Sequence, residues 1–307
     1  MFYLKTNTNI EKTFPCIIIF NYIILCFKTK INTIKKPIVL NCAKKYLFCL
    51  ILLSLIFCKI SSSSAQGRND TLKAIPKINK KFLVAAHIVL DKNGNGTYSP
   101  DAIRFALASV TEIFKPINAS FELCEVDSIP NFKFMIINDG IGDVNELRAQ
   151  YNRPGRLNIY FSDSLVVNGK GGYCGLASLG GIASGSKPSV VLVCSDAVTI
   201  AHELGHYFGL EHTFNQNGRE LANGSNCATA GDFVCDTPAD PYNSSMKMEL
   251  FMPRGCKFIW QGKDANGQYY NPDPSNVMSY YPCSSLIFTR GQYERMAKTY
   301  LANPIAW

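Results

Sequence analysis

The chain has 307 residues, a formal net charge of +8 at pH 7 and a hydrophobic content of 47%. The whole basic excess lies in residues 1–65, which contain nine lysines, no arginine and a single acidic residue. The 22 basic and 22 acidic residues that follow balance one another, so the net charge does not indicate a nucleic-acid-binding protein.

Residues 1–65 have the pattern of an export leader. Their two apolar runs, at residues 16–27 and 46–58, are shorter than the roughly 20 residues that a membrane-spanning helix needs, which argues against a stable membrane anchor. Within residues 44–65, two lysines precede the second run and small residues follow it, as in a signal peptide. This pattern predicts secretion to the periplasm or the extracellular space. Residues 66–80 are read as a short polar lead-in.

Strands and helices are predicted to alternate after the lead-in. The apolar run at residues 82–90 predicts a buried strand, in which His87 is a packed core residue. Residues 91–101 resemble the first half of a calcium loop, but Ala102 stands where that loop requires a bidentate glutamate, so a turn is predicted instead. Pro100 marks the first position of a helix. The apolar stripe of this helix is predicted to contain Ile103, Phe105, Ala106, Val110 and Ile113.

The later elements are predicted from shorter patterns. Strands are expected at residues 121–126, 132–137 and 157–161, and a helix at residues 144–151. The dense glycines of residues 171–185 predict a loop, and the β-branched run at residues 189–194 predicts an edge strand. This alternation indicates an α/β upper half. Turns rich in Gly, Pro, Asn and Asp then indicate an irregular lower half, which closes with a helix at residues 290–301.

The most informative segment is HELGHYFGLEH, at residues 202–212. His202 and His206 are four residues apart, so one face of a helix presents both imidazoles to a single ion. Gly209 allows the helix to end with a positive φ, which brings His212 back as a third ligand. These are three of only four histidines in the chain. The segment therefore predicts a three-histidine metal site.

The number and type of these ligands indicate catalysis. Three protein nitrogens leave one coordination position for water, as in catalytic zinc sites, whereas structural zinc sites are closed by four protein ligands. Glu203 stands beside the first histidine and can act as the general base on a zinc-bound water. The sequence therefore predicts zinc-dependent hydrolysis.

Four segments together resemble a known family. HELGHYFGLEH matches the metzincin metalloprotease pattern HExxHxxGxxH at every fixed position. NVMSYYPC, at residues 276–283, resembles the metzincin Met-turn. With GDFVCDTP at residues 231–238 and FTRGQYERM at residues 288–296, the set resembles the pappalysin family, especially its small secreted bacterial members. The resemblance covers residues 81–303.

The resemblance implies a fold with two halves in a catalytic domain of residues 81–307. The upper half, about residues 81–209, would contain a twisted, mostly parallel sheet with an antiparallel edge strand, together with helices. The lower half, about residues 210–307, would be irregular and would end in the C-terminal helix. An extended substrate could then pair with the predicted edge strand at residues 190–193.

The resemblance also assigns roles to individual residues. It implies zinc on His202, His206 and His212 and a general base and acid at Glu203. Met278 would form an apolar floor beneath the metal, and Tyr280 would either stabilise the oxyanion or pack behind the ligands. The resemblance places a calcium site at Asp232, Asp236 and Thr237, whose oxygens suit that cation, although Asp236 and Thr237 could instead cap a turn.

Seven cysteines follow the leader, so at least one of them is unpaired or linked to another chain. The resemblance implies a disulfide between Cys256 and Cys283, with Cys227 and Cys235 as the next pair. Cys174 and Cys194 flank the glycine-rich loop and could form a third disulfide. Because four cysteines allow three pairings, the connectivity stays open at this point.

Together these features favour a secreted, monomeric zinc endopeptidase that cleaves extended proteins or peptides. Two alternatives stay open: a non-catalytic metal-binding module on the same scaffold, and a zinc hydrolase of non-peptide amides. Retention of Glu203 argues against the first, because a binding module has no use for a base beside the water. The second shares the same water-activating groups. The sequence does not predict a cleavage preference.

Overall fold

The computed structural model describes residues 74–138, 142–180, 188–216, 218–243, 245, 256–281, 283 and 287–302. The predicted leader, including its signal peptide, and residues 66–73 of the lead-in lie outside the described residues. None of the described helices is both long and apolar enough to cross a membrane.

Strands and helices alternate up to the histidine motif, as predicted. The strands are β1 (Lys80–Val89), β2 (Ala119–Ile129), β3 (Ile136–Asn138), β4 (Leu157–Phe161), β5 (Ser164–Val166), β6 (Gly175–Ala177) and β7 (Ser189–Leu192). The α-helices are α1 (Pro100–Phe114), α2 (Asp143–Tyr151), α3 (Ala197–Tyr207) and α4 (Arg290–Ala302). Short 3-10 helices cover Lys115–Ile117 and Phe132–Met135. Between α3 and α4 the described residues are turns and isolated bridges.

Five strands form the sheet that carries the site, in the order β2-β1-β4-β7-β6. The pairs β1–β2, β1–β4 and β4–β7 are parallel, whereas β6 pairs antiparallel with β7. This arrangement confirms the predicted fold class: a mostly parallel sheet with an antiparallel edge strand and a C-terminal helix after an irregular lower half. Strands β3 and β5 form a separate parallel pair.

Parallel strands are stable here because apolar side chains cover both faces of the sheet. Every residue of β4 and β7 is buried. Successive side chains of a strand point to opposite faces. Ile159 accordingly packs with α1, α3 and α4, whereas Tyr160 packs with α2 and the β3–β5 pair. The first of these two cores supports the helix that carries the histidines.

Helix α1 begins as predicted and buries the predicted stripe with one exception. The side chain of Ser99 accepts a hydrogen bond from the amide of Ala102, and Pro100 occupies the first turn. The prediction that Phe105 packs in the core is wrong, because its side chain is 77% exposed. Leu107 is buried instead, on the stripe that contains Val110.

Three predictions about local structure are corrected by the fold. Residues 132–135 form a 3-10 helix, so only the end of the predicted strand is extended. The cause is Asn131, whose side-chain oxygen accepts a hydrogen bond from the Lys133 amide at 3.2 Å and starts a turn. The glycine-rich segment contains β6, so it is not wholly a loop. Strand β7 therefore lies inside the sheet and β6 is the edge.

His87 is fully buried, as predicted. Its Nε2 lies 2.9 Å from Oδ1 of Asn158, and its ring stacks on Tyr160 with centroids 4.6 Å apart. Burial lowers the pKa of His87 below its ordinary value. The turn predicted after β1 is also present, since one carboxylate oxygen of Asp91 accepts hydrogen bonds from two backbone amides, at 2.7 and 2.8 Å.

Candidate active site

Helix α3 positions the first two histidines. Its N-terminus is capped by Asp196, which accepts hydrogen bonds from both the amide and the hydroxyl of Thr199, at 3.0 and 2.8 Å. Ile200 and Leu204 are fully buried in the core beneath the sheet. Because this apolar face is fixed, His202 and His206 project from the opposite side of the helix.

Gly209 ends the helix and redirects the chain. Its φ is +90°, and its amide donates to the carbonyl of His206 at 2.8 Å. A Cβ at this position would also lie 2.9 Å from Oγ1 of Thr299 on α4. Both constraints require glycine. The resulting turn brings His212 to the other two histidines.

The three imidazoles converge through their Nε2 atoms. Nε2 of His212 lies 3.1 Å from Nε2 of His202 and 3.0 Å from Nε2 of His206. The Nδ1 atoms of the two helical histidines donate to the carbonyls of Val277 and Leu210, both at 2.7 Å. Since each neutral ring carries one proton, Nε2 of His202 and His206 present lone pairs to the shared space.

Burial keeps these histidines neutral. It lowers the pKa of His202 to about 3, with a further contribution from His206, and it lowers the pKa values of His206 and His212 as well. A group of neutral nitrogens with facing lone pairs suits a metal cation. Among the described residues, these three form the cluster of metal-binding side chains, with ligand atoms within 4.8 Å of one another.

Met278 lies directly beneath α3. It is fully buried, and a Cβ on Gly205 would lie 2.5 Å from its Sδ. Its backbone amide donates to the side chain of Asn276 at 2.9 Å, and its carbonyl accepts from the Thr213 amide at 3.2 Å. The turn that contains Met278 also supplies the Val277 carbonyl that orients His202.

Asp240 is a structural residue that the sequence did not reveal. Its carboxylate is buried and accepts hydrogen bonds from the hydroxyls of Thr213, at 2.6 Å, and Tyr281, at 2.8 Å. It therefore joins the residue after His212 to the residue after Tyr280. Both of these connections fix the floor of the site.

Glu203 faces the cleft with an unpaired carboxylate. The residue is 5% exposed, and its Oε2 has no hydrogen-bond partner among the described residues. Burial raises the pKa of Glu203 to about 8. Gly175 of β6 stands directly against this side chain, because a Cβ there would lie 2.5 Å from Oε1. Gly175 thus marks a close approach within the glycine-rich segment.

Tyr280 packs beside the third histidine. Its ring centroid lies 4.7 Å from that of His212 and 5.8 Å from that of His202, and it also contacts Phe214 and Tyr242. Burial raises the pKa of Tyr280 to about 12, so its hydroxyl is protonated at neutral pH. It can therefore donate a hydrogen bond at this end of the cleft.

The cleft over the metal site has a volume of about 360 Å³. Strand β6 lines the cleft, together with Val167, Asn168 and Tyr173 of the preceding segment. The side chains of Glu203, Glu211 and Tyr280 complete the lining together with the three histidines.

The calcium residues predicted by resemblance divide into two groups. Oδ1 of Asp232 accepts hydrogen bonds from the Thr237 hydroxyl, at 2.8 Å, and the Val234 amide, at 3.0 Å. Both oxygens of Asp236 are engaged by the start of α4, through the Thr289 hydroxyl and the Gly291 amide, each at 2.7 Å. Asp232 and Thr237 are thus together, while Asp236 anchors the C-terminal helix.

Uncompensated carboxylate oxygens lie near Asp232. Its Oδ2 is buried without a partner among the described residues, and so are both oxygens of Glu220. Burial raises the pKa of Glu220 to about 7, and the negative charges of neighbouring carboxylates add to this shift. Burial also raises the pKa of Asp232, to about 6. No sequence pattern singled out Glu220, which stands among polar turn residues.

Three disulfides join cysteines of the described residues: Cys174–Cys194, Cys227–Cys235 and Cys256–Cys283. They are the pairs expected from the sequence and the resemblance. Cys124 is free and exposed. The first disulfide joins the residue before β6 to the segment after β7, so it holds the edge strand at the point where Gly175 meets Glu203.

Comparison with known proteins finds similar metalloproteases. A protein-family model described as pregnancy-associated plasma protein-A matches residues 190–301, and one described as metallo-peptidase family M12B, reprolysin-like, matches residues 143–213. An extracellular metalloprotease of Arthroderma gypseum is 28% identical over 224 residues, which cover 68% of this chain and 69% of that relative. A second extracellular metalloprotease, from Arthroderma benhamiae, is 27% identical over 254 residues, which cover 77% of this chain and 76% of that relative. The chain is thus similar to metalloproteases of the pappalysin family over its histidine motif and the residues that follow.

A solved structure shares the fold of this chain. Mature mirolysin of Tannerella forsythia, solved in complex with a cleaved peptide, matches with a TM-score of 0.52 and 19% identity, covering 73% of this chain and 93% of that one. At this identity the likeness concerns the fold alone. As a metalloendopeptidase, the protein uses a catalytic metal, and the histidine triad is suited to hold it.

Proposed function

We propose that this enzyme is a secreted zinc endopeptidase of the pappalysin family. His202, His206 and His212 would hold the zinc, and Glu203 would move the proton. The observation that carries the proposal is the convergence of three neutral imidazoles beside a buried, unpaired carboxylate. Zinc bound there would polarise both a water molecule and the carbonyl of the scissile peptide bond.

Glu203 is suited to both proton transfers. Its carboxylate takes a proton from the attacking water and then delivers it to the nitrogen of the leaving amine. A pKa raised by burial makes the carboxylate a better base than an exposed glutamate and keeps the proton available for the second step. The protonated hydroxyl of Tyr280 is proposed to donate to the oxyanion that develops during attack.

Strand β6 is the proposed partner of an extended substrate. The Cys174 carbonyl accepts from the Val193 amide, and the Ser178 amide donates to the Ser189 carbonyl. Because hydrogen-bonding directions alternate along a strand, Gly175 and Ala177 direct their backbone groups toward the cleft. Mirolysin's complex with a cleaved peptide supports this use of the cleft.

Secretion and domain limits belong to the same proposal. The relatives described as extracellular metalloproteases support export, and three disulfides suit an oxidising compartment. We place the signal peptide at residues 44–65 and the catalytic domain at residues 81–307, and we propose that the mature enzyme acts as a monomer.

The test is cleavage of an unfolded protein by the secreted enzyme. We expect internal cleavage, its loss on treatment with 1,10-phenanthroline, and its return on addition of zinc. Mass spectrometry of the products separates endopeptidase activity from hydrolysis of small amides, which are assayed in parallel. Failure of the zinc-loaded enzyme to cleave any peptide bond would refute the proposal.

We also propose that calcium binds at Asp232 and Thr237, with Glu220 as an added ligand. The orphaned buried oxygens support this assignment, because a hard cation would compensate them. Asp236 is the least suited of the originally predicted ligands, since both of its oxygens already accept hydrogen bonds from α4.

Calcium is expected to raise the melting temperature, and the effect should be larger at pH 8 than at pH 5.5. Without calcium, the pKa values of Glu220 and Asp232 are raised from 4.5 and 3.8 to about 7 and about 6, so between these limits the folded state binds more protons than the unfolded state. The stability of the calcium-free protein therefore falls as pH rises toward 7, and protons compete with calcium at low pH. Differential scanning fluorimetry with calcium or EGTA measures both effects.

Glu220→Gln is the variant that isolates the site. It should abolish the calcium-dependent shift and make the calcium-free protein more stable than the calcium-free wild type, because a buried, uncompensated charge is removed. Glu112→Gln, on the exposed face of α1, is the matched control and should keep the full shift. An unchanged calcium shift in the Glu220 variant would exclude this site.

A further inference from the structure

The cleft contains one carboxylate that the proposed chemistry does not use. Glu211 lies between His212 and Leu210, whose carbonyl accepts the Nδ1 proton of His206. Its side chain is half-buried and lines the cleft. Within the described part of the chain, this carboxylate forms no ion pair and accepts no hydrogen bond. It is therefore available to a ligand in the cleft.

The charge of the cleft favours a basic ligand at this position. Among its described lining residues there is no Lys or Arg, and the acidic members are Glu203 and Glu211. Glu203 is committed to proton transfer under the proposed function. Glu211 thus remains as the fixed negative charge that a substrate side chain can meet.

The direction of the peptide follows from the proton transfer. Glu203 delivers its proton to the leaving amine, so the amine half of the substrate must lie toward Glu203 and the adjacent Gly175. At the other end of the cleft, the Gly180 amide donates to the carbonyl of His206 at 2.9 Å. Leu179 and Glu211 both line the cleft, and each is adjacent to a residue that is hydrogen-bonded to His206, namely Gly180 and Leu210. The acyl half of the substrate therefore runs past Glu211, antiparallel to β6.

We infer that Glu211 makes the enzyme prefer substrates with Lys or Arg at the first or second residue on the N-terminal side of the scissile bond. This inference rests on the proposed function and specifies its substrate class. The interaction is an ion pair in a partly open cleft, so it is weakened by salt.

The test uses two sets of peptides of one parent sequence with a single cleavage site. Each set carries Lys, Gln or Glu at one of these two positions, and kcat/KM is measured for the wild type, Glu211→Gln and Glu211→Lys. For the wild type we expect the Lys peptide to be cleaved about fivefold faster than the Gln peptide in at least one set, the size of a partly exposed ion pair. The ratio should approach one in Glu211→Gln and invert in favour of the Glu peptide in Glu211→Lys.

Two further measurements separate selectivity from a general structural effect. Raising the ionic strength should reduce the wild-type ratio and leave that of Glu211→Gln unchanged. The ratio for Glu112→Gln should equal that of the wild type. Cleavage of all peptides without a preference for Lys at either position, or the same ratio in wild type and Glu211→Gln, would overturn this inference alone. Absence of cleavage of every peptide would overturn the proposed function as well.

Discussion

Glu203→Gln is expected to lower kcat for peptide cleavage by about a thousandfold, the scale of general acid–base catalysis by one side chain. Glutamine has nearly the same size, so it fits the space against Gly175, but it cannot take the proton from the attacking water. Steady-state kinetics on a fluorogenic peptide measure the loss, with zinc content determined on the same sample.

The zinc content is the control in that experiment. The Nδ1 atoms of His202 and His206 are held by the carbonyls of Val277 and Leu210, and Nε2 of His212 lies beside both of their Nε2 atoms. None of these contacts involves Glu203, so the variant should bind zinc as the wild type does. A variant that keeps its zinc and cleaves at the wild-type rate would exclude Glu203 as the general base.

Gly175→Ala is expected to lower kcat by about a hundredfold, because displacement of a catalytic group by roughly 1 Å has effects of this size. The added methyl group would lie 2.5 Å from Oε1 and 2.6 Å from Cγ of Glu203, so the carboxylate has to move. Zinc content and melting temperature should change little, which distinguishes mispositioning from unfolding.

Gly171→Ala is the matched control for this variant. It lies in the same glycine-rich segment, and a Cβ there meets nothing within 4 Å. We expect its kcat to equal that of the wild type. Equal losses in both variants would mean that the segment, rather than the contact between Gly175 and Glu203, determines the rate.

The metal-binding residues could be predicted from the sequence because their arrangement is local. His202 and His206 share a helix face through their spacing alone, and Gly209 is required by the turn that returns His212. The start of α1 at Ser99 and Pro100 could be predicted for the same reason, since helix capping depends on adjacent residues.

The sequence could not predict which strand is the edge, because this depends on pairing between distant segments. From the sequence, β7 is predicted as the edge strand next to the histidine motif. In the fold, β6 pairs with β7 and takes the edge position. Strand β6 is also hard to predict because it contains Gly175, and glycine is unfavourable in strands. Glycine is required there because Glu203 leaves no room for a Cβ. Local propensity cannot register a steric contact 28 residues away.

Residues that act through buried contacts were missed in the same way. Asp240 and Glu220 stand in turn-rich segments where acidic residues are ordinary, and only burial reveals what surrounds them. Asp236 shows the converse. Its oxygens suit calcium, so it was predicted as a ligand, but both of them accept hydrogen bonds from the start of α4. Such choices depend on which segments meet.

The acceptors that orient the metal ligands are main-chain atoms. The Nδ1 protons of His202 and His206 are held by the carbonyls of Val277 and Leu210, and no side-chain substitution can delete a carbonyl. The orientation of these imidazoles is thus determined by the path of the backbone at residues 277 and 210. Positions 277 and 210 are free to change their side chains within the packing limits of the core, so the chemistry of the centre can persist while most of the surrounding sequence diverges.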